Sequence, residues 1–274
     1  MRVDSHQHFW LMERREGQWP PPELAAIRHD FLPGDIKAHL SRAGIAGTVV
    51  VQSLPELDDT MFLLDLAGRN DFILGVVGWV DMKAANAPDR IATLAAHPKL
   101  KGIRPMLQGI EDVDWIDDPV LAPAVAAMIE RDLAFDGLIL PRHMAPLTRF
   151  AERYPDLRVV VDHGAKPLIA EGKFVEWRQR LAALAALPNV SCKLSGLLVE
   201  AGNQRPEAVR PYAETILELF GERRVMWGSD WPVVKLVSDY QSWLDQCLDI
   251  VPAEHHDAVF GGNAIDFYRL KPSR

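Results

Sequence analysis

Short runs of apolar and β-branched residues recur along the chain, and longer amphipathic or Ala/Leu-rich stretches separate them. Several of the short runs are apolar throughout, as expected for strands that are covered on both faces of a parallel sheet. This pattern predicts eight strands, at residues 2–5, 48–52, 73–80, 100–104, 134–140, 158–162, 190–194 and 225–228.

The stretches between the strands have helical length, and several begin with Pro or Asp, as helices do. They predict helices at residues 34–43, 58–69, 87–96, 119–131, 145–154, 173–187, 206–220, 239–250 and 253–260. A strand followed by a helix eight times predicts an α/β fold, a single-domain (β/α)₈ TIM-like barrel formed by residues 1–274. A doubly wound open sheet is the competing fold, but no GxGxxG loop follows the first strand.

Composition and charge restrict the partners of the chain. A net charge of −8 argues against a nucleic-acid footprint and against attraction to an anionic membrane surface. No apolar run is long enough to span a membrane and the first residues lack the pattern of a secretory signal, so we expect neither a membrane span nor a signal peptide. Its two cysteines, Cys192 and Cys247, form no CxxC pair, so we expect a reducing, cytoplasmic location. The sequence is compatible with an oligomer but does not identify one.

Polar residues follow nearly every predicted strand, at the end of a barrel where active sites lie. In chain order they are His6 and His8, Gln52, Trp79 and Asp81, Arg104, Arg142 and His143, Asp162 and His163 with Lys166, Lys193 and Ser195, and Ser229–Asp230–Trp231. Because buried charges are costly unless they are paired, this clustering indicates a functional site. For Arg104, Asp162 and Lys193, a structural ion-pair network inside the barrel mouth is the alternative.

The most specific candidates for site residues follow the first and the last predicted strand. In "VDSHQHFW", residues i and i+2 of a strand point to the same side, about 6.6 Å apart, so His6 and His8 can face one point above the barrel. Asp230 lies in "MWGSDWPV", where we expect Trp227 and Trp231 to desolvate it, raise its pKa and make it a general base. Capping of the next helix is the alternative for Asp230.

Five motifs occur in order: "VDSHQHFW", "VVVDHGAKP", "CKLSG", "WGSDWPV" and "FGGNAIDFY". With them, nearly the whole chain resembles the amidohydrolase superfamily, in the branch of the sugar lactonases and 2-pyrone-4,6-dicarboxylate hydrolases. It is most similar there to lactonases of the L-fuconolactonase and L-rhamnonolactonase type.

The superfamily pattern has HxH after strand 1, a Lys or Glu ligand on strand 4, histidines on strands 5 and 6, and Asp on strand 8. The residues that match it are His6, His8, His163 and Asp230. Arg104 stands at the strand-4 position, and His143 lies three residues beyond the predicted end of strand 5. The resemblance therefore implies either one divalent ion, zinc first, on His6, His8, His163 and Asp230, or a metal-independent enzyme.

The resemblance also implies a hydrolase that opens a sugar 1,4- or 1,5-lactone. Asp230 would activate water, and His6, His8 and His163 would stabilise the oxyanion, directly or through one metal ion. The residues expected to bind the small sugar substrate are Arg104, Lys193 and Gln52, with Trp10, Trp79 and Trp231 as pocket walls.

Three alternatives stay open. One is a hydrolase of the 2-pyrone-4,6-dicarboxylate type, which would need several cationic groups for a dianion. A metal-dependent decarboxylase of the same superfamily is disfavoured by the missing strand-5 histidine. A non-catalytic sugar-acid binder is disfavoured because a binder needs no base such as Asp230 beside His6 and His8.

Overall fold

The computed structural model describes residues 1–271 and contains one eight-stranded parallel sheet. Each strand pairs with the next along the chain, so the spatial order is the sequence order. The strands are β1 (Arg2–Gln7), β2 (Ile45–Val51), β3 (Ile73–Gly78), β4 (Leu100–Ile103), β5 (Ala134–Gly137), β6 (Val159–Val161), β7 (Val190–Leu194) and β8 (Val225–Trp227).

Backbone hydrogen bonds beyond the ends of β8 and β1 close the sheet. The amide of His8 donates to the carbonyl of Trp231 at 2.7 Å, and the amide of Asp230 donates to the carbonyl of His6 at 2.8 Å. The predicted TIM-like barrel is therefore confirmed, and its seam joins two of the motifs that the sequence singled out.

Helices cover the outside of the barrel. They are α1 (Pro33–Ala43), α2 (Leu57–Arg69), α3 (Ala87–Ala95), α4 (Ala122–Glu130), α5 (Met144–Arg153), α6 (Phe174–Ala185), α7 (Leu197–Ala201), α8 (Arg210–Phe220), α9 (Tyr240–Ile250) and α10 (Asn263–Tyr268). Their apolar faces and the outer faces of the strands form the main hydrophobic core. Within residues 1–271, none of the helices has the length and apolar character required to cross a bilayer.

The predicted elements differ from the observed ones mainly at their ends. The predicted third and fifth strands run too far, because Val80, Leu138 and Ile139 are buried in loops and look like strand in the sequence. The predicted closing helix at 253–260 is helical but irregular, since this segment forms a 3₁₀ turn (Ala253–His255) and then a π-helical turn (Ala258–Gly262). The sequence also gave no signal for α7 or α10 as separate helices.

A second, smaller hydrophobic cluster fills the lower barrel interior. Val3, Val49, Val77 and Val160 contribute from the strands, and residues of α10 pack against them. From this helix the hydroxyl of Tyr268 donates to Asp136 Oδ2 at 2.6 Å, although both side chains are buried. The C-terminal helix is thus the floor of the barrel, and it supports the polar groups above.

Gly261 allows the chain to pass under the barrel. A Cβ atom at this position would lie 2.0 Å from the backbone oxygen of Met1, and backbone cannot move aside as a flexible side chain can. The glycine therefore fixes how closely the segment before α10 approaches the start of β1.

We predict that Gly261→Ala lowers the free energy of unfolding by about 1–3 kcal/mol, since overpacking against fixed backbone forces a shift. Urea unfolding would measure the loss. Gly34→Ala is the matched control: Gly34 lies in α1 with open space around its Cβ position and should be neutral or slightly stabilised. Equal stability of both variants would contradict the packing argument.

Candidate active site

Four of the predicted site residues meet at the upper rim of the barrel. The His6 and His8 Nε2 atoms lie 3.2 Å apart, and Asp230 Oδ1 lies 3.3 Å from His8 Nε2 and 3.7 Å from His6 Nε2. The His163 ring is 4.5 Å from that of His6, centroid to centroid. Three imidazoles and one carboxylate from β1 and from the ends of β6 and β8 thus surround one small space.

The orientation of His8 is set by the neighbouring strand. Its Nδ1 lies 2.7 Å from the carbonyl oxygen of Val51, at the end of β2. A carbonyl only accepts, so this nitrogen carries the ring proton. In the neutral imidazole Nε2 then has its lone pair free and directed toward His6 and Asp230.

The backbone around His163 is unusual. His163, Gly164, Ala165 and Lys166 all have positive φ, and non-glycine residues in this region cost energy that the surroundings must supply. The His163 Nδ1 lies 2.8 Å from the hydroxyl oxygen of Ser195. This tight turn aims the His163 ring at the cavity.

The position next to the His163 ring, residue 196, must also be glycine. Gly196 has φ +66, and a Cβ on it would lie 2.6 Å from His163 Nδ1. The loop after β7 therefore approaches the histidine as closely as glycine allows.

Asp4 fixes the backbone next to Asp230. The Asp4 carboxylate accepts hydrogen bonds from the amide and the hydroxyl of Ser229, from the amide of His6 and from the hydroxyl of Tyr240. Asp230 itself has φ 54, so its side chain leaves the chain at a sharp turn. These contacts fix the β1–β8 seam from which His6 and Asp230 both project.

A buried charge network lies directly under the histidines. Lys193 Nζ is 2.6 Å from Asp136 Oδ2, 3.0 Å from Asp162 Oδ1 and 3.2 Å from His6 Nδ1. Arg104 pairs with the other oxygen of Asp162 at 3.0 Å. The ion-pair alternative for Arg104, Asp162 and Lys193 is thus what the structure contains, joined by Asp136, which sequence reasoning did not single out.

The prediction that the pKa of Asp230 is raised is wrong. Burial does raise the pKa of this carboxyl group, but His163, His8 and His6 outweigh burial and leave the pKa below its ordinary value. Trp227 and Trp231 pack against other rings, with Tyr240 and Phe31 among their neighbours. Asp230 is therefore a carboxylate at neutral pH, which is the form that a general base must have.

The imidazoles of His6 and His163 stay neutral for a different reason. Burial, as the largest cause, lowers the pKa of His163 to about 4 and lowers the pKa of His6 well below its ordinary value. Neutral rings can accept a metal ion or donate a hydrogen bond to an oxyanion without requiring acid.

The donor atoms fit a metal ion. Zinc bonds of about 2.0–2.1 Å place tetrahedral ligand atoms about 3.3 Å from one another. The three separations among His6 Nε2, His8 Nε2 and Asp230 Oδ1 are 3.2, 3.3 and 3.7 Å. His163, expected in the same ligand set, groups instead with His6 and Asp162 in a second triplet that could hold a metal.

A cavity of about 640 Å³ opens above this centre. Its wall includes His8, Arg104, His163 and Asp230, so a small molecule in the cavity would contact these groups. The sequence did not predict four polar or aromatic residues of the wall, which are Gln18, Trp19, Ser53 and Gln108. Trp19 lies in the long loop after β1, where no periodic pattern marks a position.

The predicted aromatic walls lie elsewhere. Trp10 and Trp231 are buried behind the cavity and pack against Phe31 at 5.3 and 5.1 Å. Trp79 lines an adjoining cavity of about 470 Å³, which shares Pro55, Met106 and Gln108 with the first. The reason for the difference is that large rings following a strand fill the space between the loops and the helices.

Two of the predicted polar contacts are also indirect. Gln52 is buried, and its side-chain amide donates to the Arg104 carbonyl at 2.9 Å while its own oxygens accept from the Arg104 guanidinium. Lys193 is fully buried beneath His6. Of the expected substrate-binding residues, Arg104 alone lines the cavity of 640 Å³.

His143 does not replace the missing strand-5 histidine. Its Nδ1 accepts a hydrogen bond from the amide of Leu140 at 3.1 Å, which caps a 3₁₀ turn. The inward polar residue of β5 is Asp136. The strand-5 position is thus occupied by a carboxylate that binds Lys193.

Comparison with known proteins agrees with this geometry. Residues 3–270 match the family model described as Amidohydrolase. The chain belongs to the amidohydrolase family. The amidohydrolase is 53% identical to an L-fucono-1,5-lactonase from Burkholderia ambifaria, over 99% of this chain and 97% of the relative. It is 33% identical to an L-fucono-1,5-lactonase from Burkholderia multivorans, over 98% and 96%.

A crystal structure of an amidohydrolase from Burkholderia multivorans with bound zinc has the same fold. It is 33% identical to this amidohydrolase, superposes with a TM-score of 0.92 and covers 99% of this chain and 100% of that chain. The rim of our amidohydrolase barrel therefore has donor atoms suited to a metal, and a relative of the same fold carries one.

We predict that His163 makes the amidohydrolase less stable in mild acid. Because its pKa is about 4 when folded and ordinarily 6.5, the unfolded chain takes up a proton between pH 7 and 5 and the folded chain does not. Stability is then lost as the pH falls, by about 2 kcal/mol from this group.

Urea unfolding of wild type and His163→Asn at pH 7 and pH 5, with chelator present, isolates the effect. Other titrating groups, including Asp4, contribute to both proteins, so the difference between the two pH dependences reports His163. Parallel pH dependences in the two proteins would contradict the prediction.

Proposed function

We propose that this protein is a hydrolase that opens a neutral sugar lactone, with L-fucono-1,5-lactone the first substrate to test. The observation that carries the proposal is the placement of the Asp230 carboxylate within 3.7 Å of two imidazole nitrogens, on the wall of a cavity. The relatives named L-fucono-1,5-lactonase at 53% and 33% identity support the choice of substrate.

In the proposed reaction Asp230 accepts a proton from a water molecule in the cavity, and the water oxygen bonds to the lactone carbonyl carbon. The carbonyl oxygen becomes an oxyanion, which the neighbouring imidazoles on the cavity wall stabilise. The bond from this carbon to the ring oxygen then breaks, and the proton on Asp230 passes to that oxygen. The product is the open-chain sugar acid.

The proposal also includes a bound zinc ion. His6, His8 and Asp230 would hold it, and when bound it would supply Lewis-acid polarisation of the lactone carbonyl. The imidazoles remain hydrogen-bonding groups at the same place, so the chain's own residues can polarise the carbonyl as well.

The cavity charges favour a neutral substrate over a dianion. Its two cationic wall residues are each paired already: Arg104 with Asp162 at 3.0 Å, and Lys166 with Glu200 at 2.5 Å. A 2-pyrone-4,6-dicarboxylate would have to compete with these carboxylates for the same charges. The hydroxyls of a sugar lactone need only hydrogen-bond partners, such as Gln18 and Gln108.

A cytoplasmic location belongs to the same proposal. Cys192 and Cys247 are both free and buried, which fits a compartment that keeps thiols reduced.

We predict that Asp230→Asn lowers kcat/KM for L-fucono-1,5-lactone by about 10²–10⁴-fold, the usual contribution of a general base. A pH-indicator assay of acid release would measure it, with circular dichroism as the check on folding. Asp81→Asn, a carboxylate on the adjoining cavity, is the matched control and should retain wild-type activity. Near-normal hydrolysis by folded Asp230→Asn would remove the base assignment.

We also predict that neutral aldonolactones are hydrolysed at least about 100-fold faster than 2-pyrone-4,6-dicarboxylate. Binding a dianion in a site whose cations are already paired costs several kcal/mol. The same indicator assay on both substrates gives the ratio. Preferred turnover of the dicarboxylate would overturn the neutral-lactone proposal, and release of carbon dioxide from a carboxylated substrate would indicate a decarboxylase.

A further inference from the structure

One arginine in the loop after β1 is buried, although the residues on both sides of it are exposed. Arg15 is 2% exposed, and burial lowers its pKa to about 10, so it remains a cation at neutral pH. Its partner is Asp59 in the first turn of α2, with 3.3 Å between Arg15 Nη2 and Asp59 Oδ1. A buried charge needs such a partner because its desolvation is costly. The ion pair therefore joins the loop after β1 to the start of α2.

The Arg15 guanidinium also holds a segment that lines the cavity of 640 Å³. Its Nη1 donates to the carbonyl of Trp19 at 3.2 Å. Its Cζ lies 5.1 Å from the centroid of the Trp10 ring, and that ring meets the Trp19 ring edge-on at 5.1 Å. Trp19 and the preceding Gln18 are both wall residues of the cavity. The position of this wall segment therefore depends on a side chain that lies behind it.

The other half of the ion pair fixes a second part of the same wall. Asp59 Oδ2 accepts hydrogen bonds from the amides of Ser53 and Leu54 at 2.8 and 3.1 Å. Arg15 Nη2 donates to the hydroxyl oxygen of Ser53 at 3.1 Å. Ser53 and Leu54 also line the cavity. One buried ion pair thus contacts two wall segments, one from the loop after β1 and one from the loop after β2.

We propose that Arg15 is a positioning residue for substrate binding and that it holds Gln18 and Trp19 on the cavity wall. Arg15 is not itself a wall residue, so it acts on a substrate only through its neighbours. A guanidinium can serve the Trp19 carbonyl and the Asp59 carboxylate together because its nitrogens form a planar fork, whereas the ammonium of lysine is a single point. Substrate affinity, rather than the chemical step at Asp230, therefore depends on the arginine.

This inference rests on the proposed substrate site, and its test has one readout that needs no substrate. Amide hydrogen exchange in residues 16–24 reports how firmly the loop is held. Hydrolysis of an aldonolactone reports KM and kcat separately. A wild-type protein that hydrolyses no lactone would contradict the proposed function, whereas unchanged exchange in the variant would contradict the role of Arg15.

The test variant is Arg15→Lys, which keeps a positive charge beside Asp59 but does not reach the Trp19 carbonyl at the same time. Arg14→Lys is the matched control, since Arg14 is exposed and its guanidinium lies over the Phe62 ring instead. Trp19→Ala and the double variant Arg15→Lys/Trp19→Ala complete a double-mutant cycle.

We expect Arg15→Lys to raise KM for the lactone about tenfold and to change kcat less than about twofold, because a hydrogen bond that supports binding is lost. Exchange in residues 16–24 should become faster, and Arg14→Lys should match wild type in both readouts. Trp19→Ala should also raise KM. Adding Arg15→Lys to it should have little further effect, because the arginine acts through that wall segment.

Three results would overturn the proposal: a wild-type KM in folded Arg15→Lys, unchanged exchange in the loop, or a KM effect of Arg15→Lys that persists in full beside Trp19→Ala. If Arg15→Lys does not fold, the neutral pair Arg15→Met/Asp59→Asn takes its place, since it leaves no unpaired charge in the interior. The same outcomes then decide for or against the proposal.

Discussion

The balance of four buried charges is the constraint on which the rest of this site depends. Closing the barrel places Asp136, Asp162 and Lys193 in an interior without solvent, and such groups persist only when each charge has partners. Lys193 neutralises the two carboxylates together with Arg104, and the carboxylates in turn hold both cations in place. Removing any one member would leave an uncompensated charge directly under the histidines.

The polar residues at the strand ends form two layers, and only the upper layer lines the cavity. Groups such as Asp230 and His163 line the cavity, whereas Lys193 and Asp136 lie one layer deeper. Tyr268 reaches the lower layer from the C-terminal helix through its 2.6 Å hydrogen bond to Asp136. The floor of the barrel is therefore connected to the upper rim by consecutive polar contacts.

Much of this arrangement could be predicted from the sequence, for a physical reason. Parallel strands all end at one rim of a closed barrel, so His6, His8, His163 and Asp230 had to be neighbours once the eight strands were assigned. The direction of the Asp230 pKa shift could not be predicted, because it depends on the sum of burial and three histidines from other elements. Trp19 could not be predicted as a wall residue either, since it lies in a loop without periodicity, and the tryptophans beside strands fill the core instead.

The cations at the rim of the barrel already have partners inside the protein. Arg104 is held by Asp162, Lys166 by Glu200, and Lys193 by two carboxylates and His6. A cation that is already paired offers little to an anionic ligand, and this is the reason that we propose an uncharged substrate. The barrel therefore presents Asp230 and its imidazoles to the cavity as hydrogen-bonding and proton-accepting groups, a chemistry suited to opening an uncharged ester.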